Sequence, residues 1–167
     1  MTTPSATGPD VASVANWPTI LHHATAEVFS IMAGMEVKAM AAPEQPIVNA
    51  IAATVTVTGA VGIAGALSAI MSVRCSTQCA AKIASHMLGV AIEEAAPHQC
   101  DAIGEICNMV AGNFKAKIGL EAKCMLSVPT VITGGNYQVR AATANQRLQL
   151  HLLCEGEAIW IGLEIRG

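Results

Sequence analysis

The stretch that decides the fold is Gly104-Glu-Ile-Cys-Asn-Met-Val-Ala-Gly112, and Asp101 lies just upstream of it. On a helix that advances about 100° per residue, one narrow stripe collects Asp101, Glu105, Asn108 and Gly112. The opposite side collects apolar residues: Ile103, Ile106, Cys107, Val110 and Phe114. The stretch therefore predicts an amphipathic helix with its apolar face inward. Its outer face presents a carboxylate, an amide and a glycine in line, and a plain surface helix is the competing interpretation.

The composition indicates one well-packed domain. The chain has 167 residues, of which 53% are hydrophobic and 13% charged, enough for a sizeable core. Its formal net charge of -3 argues against nucleic-acid binding, which requires a basic patch. No signal peptide is recognisable, so we expect the protein in the cytoplasm. We interpret the six cysteines as buried thiols rather than disulfides or metal ligands, because no pair has CxxC spacing.

The first part of the chain predicts a leader followed by a helix. Residues 1–15 are small and polar with two prolines, which is typical of a flexible leader, and we expect a single domain over residues 16–167. From Trp17 to about Met40, apolar residues recur at steps of three and four, which predicts a helix. Pro43 and Pro46 end this pattern.

The uncharged stretch from Pro46 to Val73 has two interpretations. Its length and apolar character would allow a membrane helix. However, residues 53–58 alternate between polar and β-branched apolar side chains, which predicts a strand, and Ala66–Arg74 has the character of a second strand. A turn is then expected at Gly59, Gly62 and Gly65. We therefore favour a buried β-hairpin without membrane insertion.

The rest of the chain predicts helices followed by strands. Ser76 suits the N-cap of a helix that runs to about Leu88, where Gly89 stops it. The central helix begins after Pro97 and ends near Ile118. Strands are expected at Cys124–Thr133, Gln146–Cys154 and Ala158–Arg166. This order predicts an α+β fold with long helices layered on one face of a largely antiparallel sheet.

A second stretch of nine residues, Ala26-Glu-Val-Phe-Ser-Ile-Met-Ala-Gly34, repeats the pattern of Gly104–Gly112. The Glu, Ala and Gly positions are identical, and both copies are followed by strands. The echo predicts two pseudo-repeated halves. One difference matters for function, because Ser30 stands where the later copy has Asn108.

Glu105 and Asn108 together suit one part of a catalytic site. An Asn side chain does not titrate near neutral pH, so it is a poor general base, but its amide positions a water molecule well. An ionised Glu only accepts hydrogen bonds and suits a Lys or Arg of a partner. The stripe has no nucleophile or phosphate clamp, and the five histidines lack metal-binding spacing, so we expect no metal site. The pattern therefore indicates half of an active site.

These residues resemble a known family. The run from Asp101 through Glu105, Asn108 and Gly112 to Asn113 is similar to the signature helix of the CheX-like chemotaxis phosphatases, which are related to CheC. The similarity extends through Ala24–Glu36, through Lys82–Gly89 and to Pro129. The resemblance implies a CheC/CheX-like fold and the removal of the aspartyl phosphate from a CheY-type receiver domain of a response regulator.

The resemblance also implies a role for each residue of the stripe. Asn108 orients the attacking water and Glu105 contacts the Lys of the receiver, which supplies the Mg2+, so the protein needs no cofactor of its own. Asp101, Gly112 and Pro129 support this pair. Glu27 and Ser30 form a degenerate second site, which places the chain nearer to CheX than to CheC.

Family members of the CheX type form homodimers through their sheets, and we expect the same here. Two other functions stay open at this point. One is a non-catalytic adaptor that binds a receiver, or a relative of the flagellar switch, in which Glu105 and Asn108 serve only for docking. The other is a membrane-associated signalling module, which would use residues 46–73.

Overall fold

The computed structural model describes residues 14–40, 55–135 and 139–166. Most of the predicted leader and the first third of the uncharged stretch therefore lie outside the described residues. The helices are α1 (Trp17–Ala33), α2 (Thr77–Leu88), the short α3 (Ile92–Ala95) and α4 (Gln99–Lys117). The strands are β1 (Val37–Ala39), β2 (Thr56–Gly65), β3 (Ser68–Ser76), β4 (Cys124–Leu126), β5 (Thr130–Gly134), β6 (Gln146–Cys154) and β7 (Glu157–Arg166).

The strands form one antiparallel sheet, which confirms the predicted α+β class. Its order is β1-β6-β7-β3-β2-β4, and β5 also pairs with β2. Alternate residues of β3 are buried, as expected for a sheet with one covered face. The long helices α1 and α4 lie side by side on that face, where Trp17 and Phe114 make an edge-to-face contact with ring centroids 5.5 Å apart.

The strand order supports the predicted repeat of two halves. If β1 is exchanged with β4, β2 with β6 and β3 with β7, the same strand order is obtained in reverse. The exchange leaves β3 and β7 as the central antiparallel pair, in which Ser72 lies opposite Gly162. α1 and α4 consequently occupy equivalent places in the two halves.

The prediction that the first helix extends to about Met40 was wrong. α1 ends at Ala33 because Gly34 adopts the left-handed conformation, with φ 60°, and caps the helix. The chain then forms β1, in which Val37 lies opposite Cys154 of β6. Met35 and Val37 are apolar because they are buried in the core. Their spacing extends the helical pattern in the sequence, although the helix has already ended.

The predicted hairpin exists, but the glycines were assigned to the wrong place. β2 runs through Gly59 and Gly62 and pairs with β3 along its length, so only Gly65 lies near the turn. At Gly59, α4 comes so close to the sheet that an added Cβ would lie 2.9 Å from the carbonyl oxygen of Ile103. Gly59 thus allows the central helix to sit directly on β2.

The structure also bears on membrane insertion and on the cysteines. Within the described ranges, no helix has both the length and the apolar character needed to span a membrane. All six cysteines carry free thiols, and five of these are buried. Burial raises the pKa of the Cys107 thiol to about 12, so this side chain stays protonated and packs as a small apolar group.

Candidate active site

The stripe predicted from the sequence lies on the exposed face of α4. The five apolar residues predicted for the opposite face are completely buried: Ile103, Ile106, Cys107, Val110 and Phe114. On the outer face Asp101 and Glu105 are exposed, whereas Asn108 and Gly112 are half-buried. Asp101 lies in the first turn of α4, where the helix dipole favours a negative charge. The amphipathic pattern alone therefore placed these residues correctly.

The Glu105 and Asn108 side chains are available to a partner. Among the residues that the structure describes, neither side chain makes a hydrogen bond or an ion pair. Residues three positions apart on a helix have Cβ atoms about 5–6 Å from each other, so both groups can reach one point above the helix. An exposed carboxylate and an amide without internal partners indicate a site that another molecule completes.

The chain between β4 and β5 runs along one flank of α4. An added Cβ at Gly104 would lie 3.1 Å from Val131 Cγ2 and 3.6 Å from Pro129 Cβ. Pro129 therefore packs beside the helix about one turn before Asn108. Among the described residues, an added Cβ at Gly112 would meet only Leu126 Cδ1, at 3.8 Å, so none of them requires a glycine there.

A groove lies between α1 and α4, next to the stripe. It has a volume of about 420 Å³ and is open to solvent. Its lining includes Asn108 and Gly112 of the stripe together with three apolar side chains: Ile31 of α1, Met109 of α4 and Leu126 of β4. The sequence does not predict this groove. The one residue of the echo that could have indicated it is Ile31, an apolar residue directly after Ser30.

The residues of the second copy, Glu27 and Ser30, lie on α1 across the groove from the stripe. The Asn113 amide donates a hydrogen bond to Glu27 Oε2 at 2.9 Å and another to the Ala24 carbonyl oxygen at 3.1 Å. Lys117 Nζ forms an ion pair with Glu27 Oε1 at 2.8 Å. The Asn113 hydrogen bond, and then Lys117, lower the pKa of Glu27. The Glu27 carboxylate is consequently engaged within the chain, an arrangement that the sequence did not reveal.

No metal centre accompanies the stripe in the described part of the chain. There, no three His, Cys, Asp or Glu side chains converge in a way that could hold a metal ion. The stripe thus offers hydrogen-bonding groups but neither a metal nor a nucleophile of its own.

One protein family matches the chain in sequence. The profile of the family described as chemotaxis phosphatase CheX aligns with residues 57–153, which is more than half of the chain. The matched part contains the whole of α4 and Pro129. No curated protein matches the chain significantly.

Solved structures resemble the chain in fold. A chemotaxis protein CheX from Desulfovibrio desulfuricans is 22% identical, with 90% of this chain and 99% of that chain covered and a TM-score of 0.73. A CheC-like superfamily protein from Shewanella sp. PV-4 is 21% identical, with coverages of 91% and 98% and a TM-score of 0.74. The structure of a CheX-CheY-BeF3-Mg2+ complex from Borrelia burgdorferi contains a chain that is 19% identical, with coverages of 90% and 98% and a TM-score of 0.68.

Proposed function

This chain belongs to the CheX family of chemotaxis phosphatases, and we propose that it removes the phosphoryl group from the aspartate of a CheY-type receiver domain. One observation carries the proposal: Glu105 and Asn108 lie one turn apart on an exposed helix face, and neither has a partner among the described residues. The complex of the Borrelia burgdorferi relative with CheY supports this choice of partner.

In the proposed reaction, Asn108 holds the attacking water. The water oxygen forms a bond to phosphorus while the bond between phosphorus and the aspartate oxygen breaks, so the products are free aspartate and inorganic phosphate. An amide accepts one hydrogen bond from the water and fixes its direction without taking up a proton. The receiver contributes the Mg2+, which neutralises charge on the phosphoryl oxygens. The protein therefore requires no cofactor of its own.

Glu105 orients the receiver on the helix. Its ionised carboxylate accepts a charge-assisted hydrogen bond from the Lys of the receiver. Because Glu105 and Asn108 project from the same face of α4, this contact brings the phosphoryl group and the water together. Asp101 adds negative charge beside Glu105, Gly112 leaves room for the incoming domain, and Pro129 supports α4 from the β5 side.

A non-catalytic adaptor is the second candidate function, because the same exposed stripe would also suit docking alone. Such an adaptor would bind the receiver without changing the lifetime of its phosphate. The homodimer that the resemblance implies and the cytoplasmic location expected from the sequence stay predictions.

The decisive experiment compares Asn108→Ala with the wild type in an assay of phosphate loss from phosphorylated receivers with Mg2+. We expect the wild type to accelerate phosphate loss. The variant should lose about 100-fold or more of that rate, the range seen when one positioned hydrogen-bonding group is removed from an active site. Ser30→Ala is the matched control, because Ser30 is exposed at the equivalent position of the echo, and it should retain the full rate.

Three outcomes separate the alternatives. If the wild type accelerates phosphate loss from none of the CheY-type receivers of its own genome, the phosphatase proposal is wrong. Binding of an activated receiver without acceleration would instead support the adaptor. If Asn108→Ala accelerates phosphate loss as the wild type does, the assignment of Asn108 is wrong although the activity stands.

A further inference from the structure

The groove between α1 and α4 has an apolar surface that the proposed chemistry does not use. Ile31 is 77% exposed, although the other Ile, Leu, Val, Met, Phe and Trp residues of α1 are buried or half-buried, and Leu126 and Met109 face the same groove while half-buried. Ile31 and Met109 occupy the same position of the repeated nine residues, so the two halves contribute matching apolar side chains. An exposed isoleucine beside two further apolar side chains is unfavourable in water unless a partner covers it.

The wall of the groove around Ile31 and the neighbouring stripe of α4 differ in charge. On the α1 side, Lys117 compensates the Glu27 carboxylate at 2.8 Å, so the wall around Ile31 has no net charge. On the stripe of α4, next to the groove but outside its lining, Glu105 and Asp101 are exposed and have no partner among the described residues. The surface therefore complements a partner face that presents a cation beside an uncharged apolar side chain.

The groove lies within the area that a docked receiver must cover. A protein interface buries about 800 Å² on each partner, equivalent to a disc with a radius of about 16 Å. Asn108 itself lines the groove, so a receiver that brings its phosphoryl group to Asn108 also covers Ile31 and Leu126.

From these observations we propose that the groove is an anchoring pocket for an apolar side chain of the receiver, and that Ile31 determines affinity for receivers that carry this side chain beside their Lys. The inference rests on the proposed function. At about 420 Å³ the groove has room for one large side chain and is of the size of small-ligand pockets.

A second copy of this chain is a less suitable occupant. In a two-fold symmetric contact centred on the stripe, the same patch of both copies would meet. Glu105 would then approach Glu105 of the other copy, and the like charges would repel each other. A receiver with a cation in this position has no such penalty.

The test measures binding rather than turnover. Each CheY-type receiver from the same genome is prepared with Mg2+ and beryllofluoride and titrated against the wild type, Ile31→Ser and Leu88→Ser. We expect Ile31→Ser to raise the dissociation constant about five- to tenfold, because a desolvated aliphatic contact is lost. Leu88→Ser is the matched control: Leu88 is 53% exposed, lies at the end of α2 outside the groove lining, and should bind as the wild type does.

The outcomes distinguish this inference from the proposed function. If Ile31→Ser and the wild type bind equally, the anchoring pocket is refuted, whatever the phosphatase assay gives. If the wild type binds tightly and Ile31→Ser weakly, but neither accelerates phosphate loss, the pocket stands and the catalytic proposal fails. Loss of self-association in Ile31→Ser, measured by sedimentation, with unchanged receiver binding would identify a second copy as the occupant and overturn the inference. Failure of the wild type to bind any activated receiver would overturn both proposals.

Discussion

Glu27 in α1 and Glu105 in α4 stand at the same place of the repeated nine residues, yet their surroundings differ. Glu27 accepts a hydrogen bond from Asn113 and pairs with Lys117. Glu105 is exposed and has neither kind of contact among the described residues. One carboxylate is therefore used to join two helices, and the other is left for a partner.

The difference arises where the two copies end. α1 stops just before Gly34, whereas α4 continues past the equivalent Gly112 to Lys117. The additional turn carries Asn113 and Lys117, the residues that hold Glu27. The comparison teaches that a repeated motif does not define a repeated site. Whether a copy can form a site depends on whether its Glu carboxylate is already hydrogen-bonded or ion-paired within the chain.

The strongest test of this comparison moves the amide from one copy to the other. We expect the double variant Asn108→Ala/Ser30→Asn to remain about 100-fold or more slower than the wild type, because the amide introduced at position 30 stands beside an engaged Glu27. The measurement is phosphate loss from a phosphorylated receiver with Mg2+, and Asn108→Ala alone is the reference. Recovery of activity in the double variant would show that the contacts of Glu27 with Asn113 and Lys117 do not prevent catalysis at the second copy.

The two glycines of the repeat should respond to alanine with opposite signs. Gly34 has a φ of 60°, so Gly34→Ala should destabilise the protein by about 1 kcal/mol, although no described residue lies within 4 Å of the added Cβ. Gly112 lies inside α4, and of the described residues its added Cβ would meet only Leu126, at 3.8 Å, so Gly112→Ala should stabilise the protein by about 0.5–1 kcal/mol.

Chemical denaturation of the two variants and the wild type measures both changes. The same Gly112→Ala protein should show weaker receiver binding, since its new methyl group enters the groove beside Asn108. If Gly112→Ala destabilises the chain, internal packing requires the glycine. If Gly112→Ala binds the receiver as the wild type does, the proposed role of Gly112 in leaving room for a partner is wrong.

The sequence was sufficient where structure depends on local pattern. The apolar period of α4, the N-cap at Ser76 and the last two strands were predicted within one or two residues. The end of α1 was not, because Met35 and Val37 are buried and continue the helical spacing, although Gly34 has already ended the helix. The spacing of apolar residues indicates which residues are buried. Because both helices and strands contribute to the core, this spacing does not show where a helix ends and a strand begins.

Features that depend on contacts between distant segments were not predictable. Gly59 suggested a turn, because glycine often marks one, whereas its actual role is close packing beneath Ile103. The groove requires α1 to lie beside α4, and the Glu27–Lys117 pair joins residues 90 positions apart. The stripe of α4 could therefore be predicted from the sequence. The hydrogen bond and ion pair of Glu27 and the apolar surroundings of Asn108 could not.

The smallest expected effect concerns the titration of Glu27 itself. The Asn113 hydrogen bond and Lys117 favour the ionised carboxylate, so its pKa in the folded protein lies below the ordinary value. A lowered pKa means that Glu27 contributes to stability at pH values above the pKa of the unfolded chain, and that this contribution disappears as the pH falls through the folded-state pKa. The pair is exposed, so the contribution is small.

A titration followed by NMR of the side-chain carboxyl should therefore place the Glu27 midpoint below the ordinary value in the wild type. Lys117→Met should raise that midpoint. Lys115→Met is the control, because Lys115 lies one half-turn away and binds the Cys124 carbonyl oxygen at 2.8 Å instead of Glu27. If Glu27 titrates at the same pH in the wild type and in Lys117→Met, Lys117 does not hold the carboxylate in its ionised form. The difference between Glu27 and Glu105 would then rest on the Asn113 hydrogen bond.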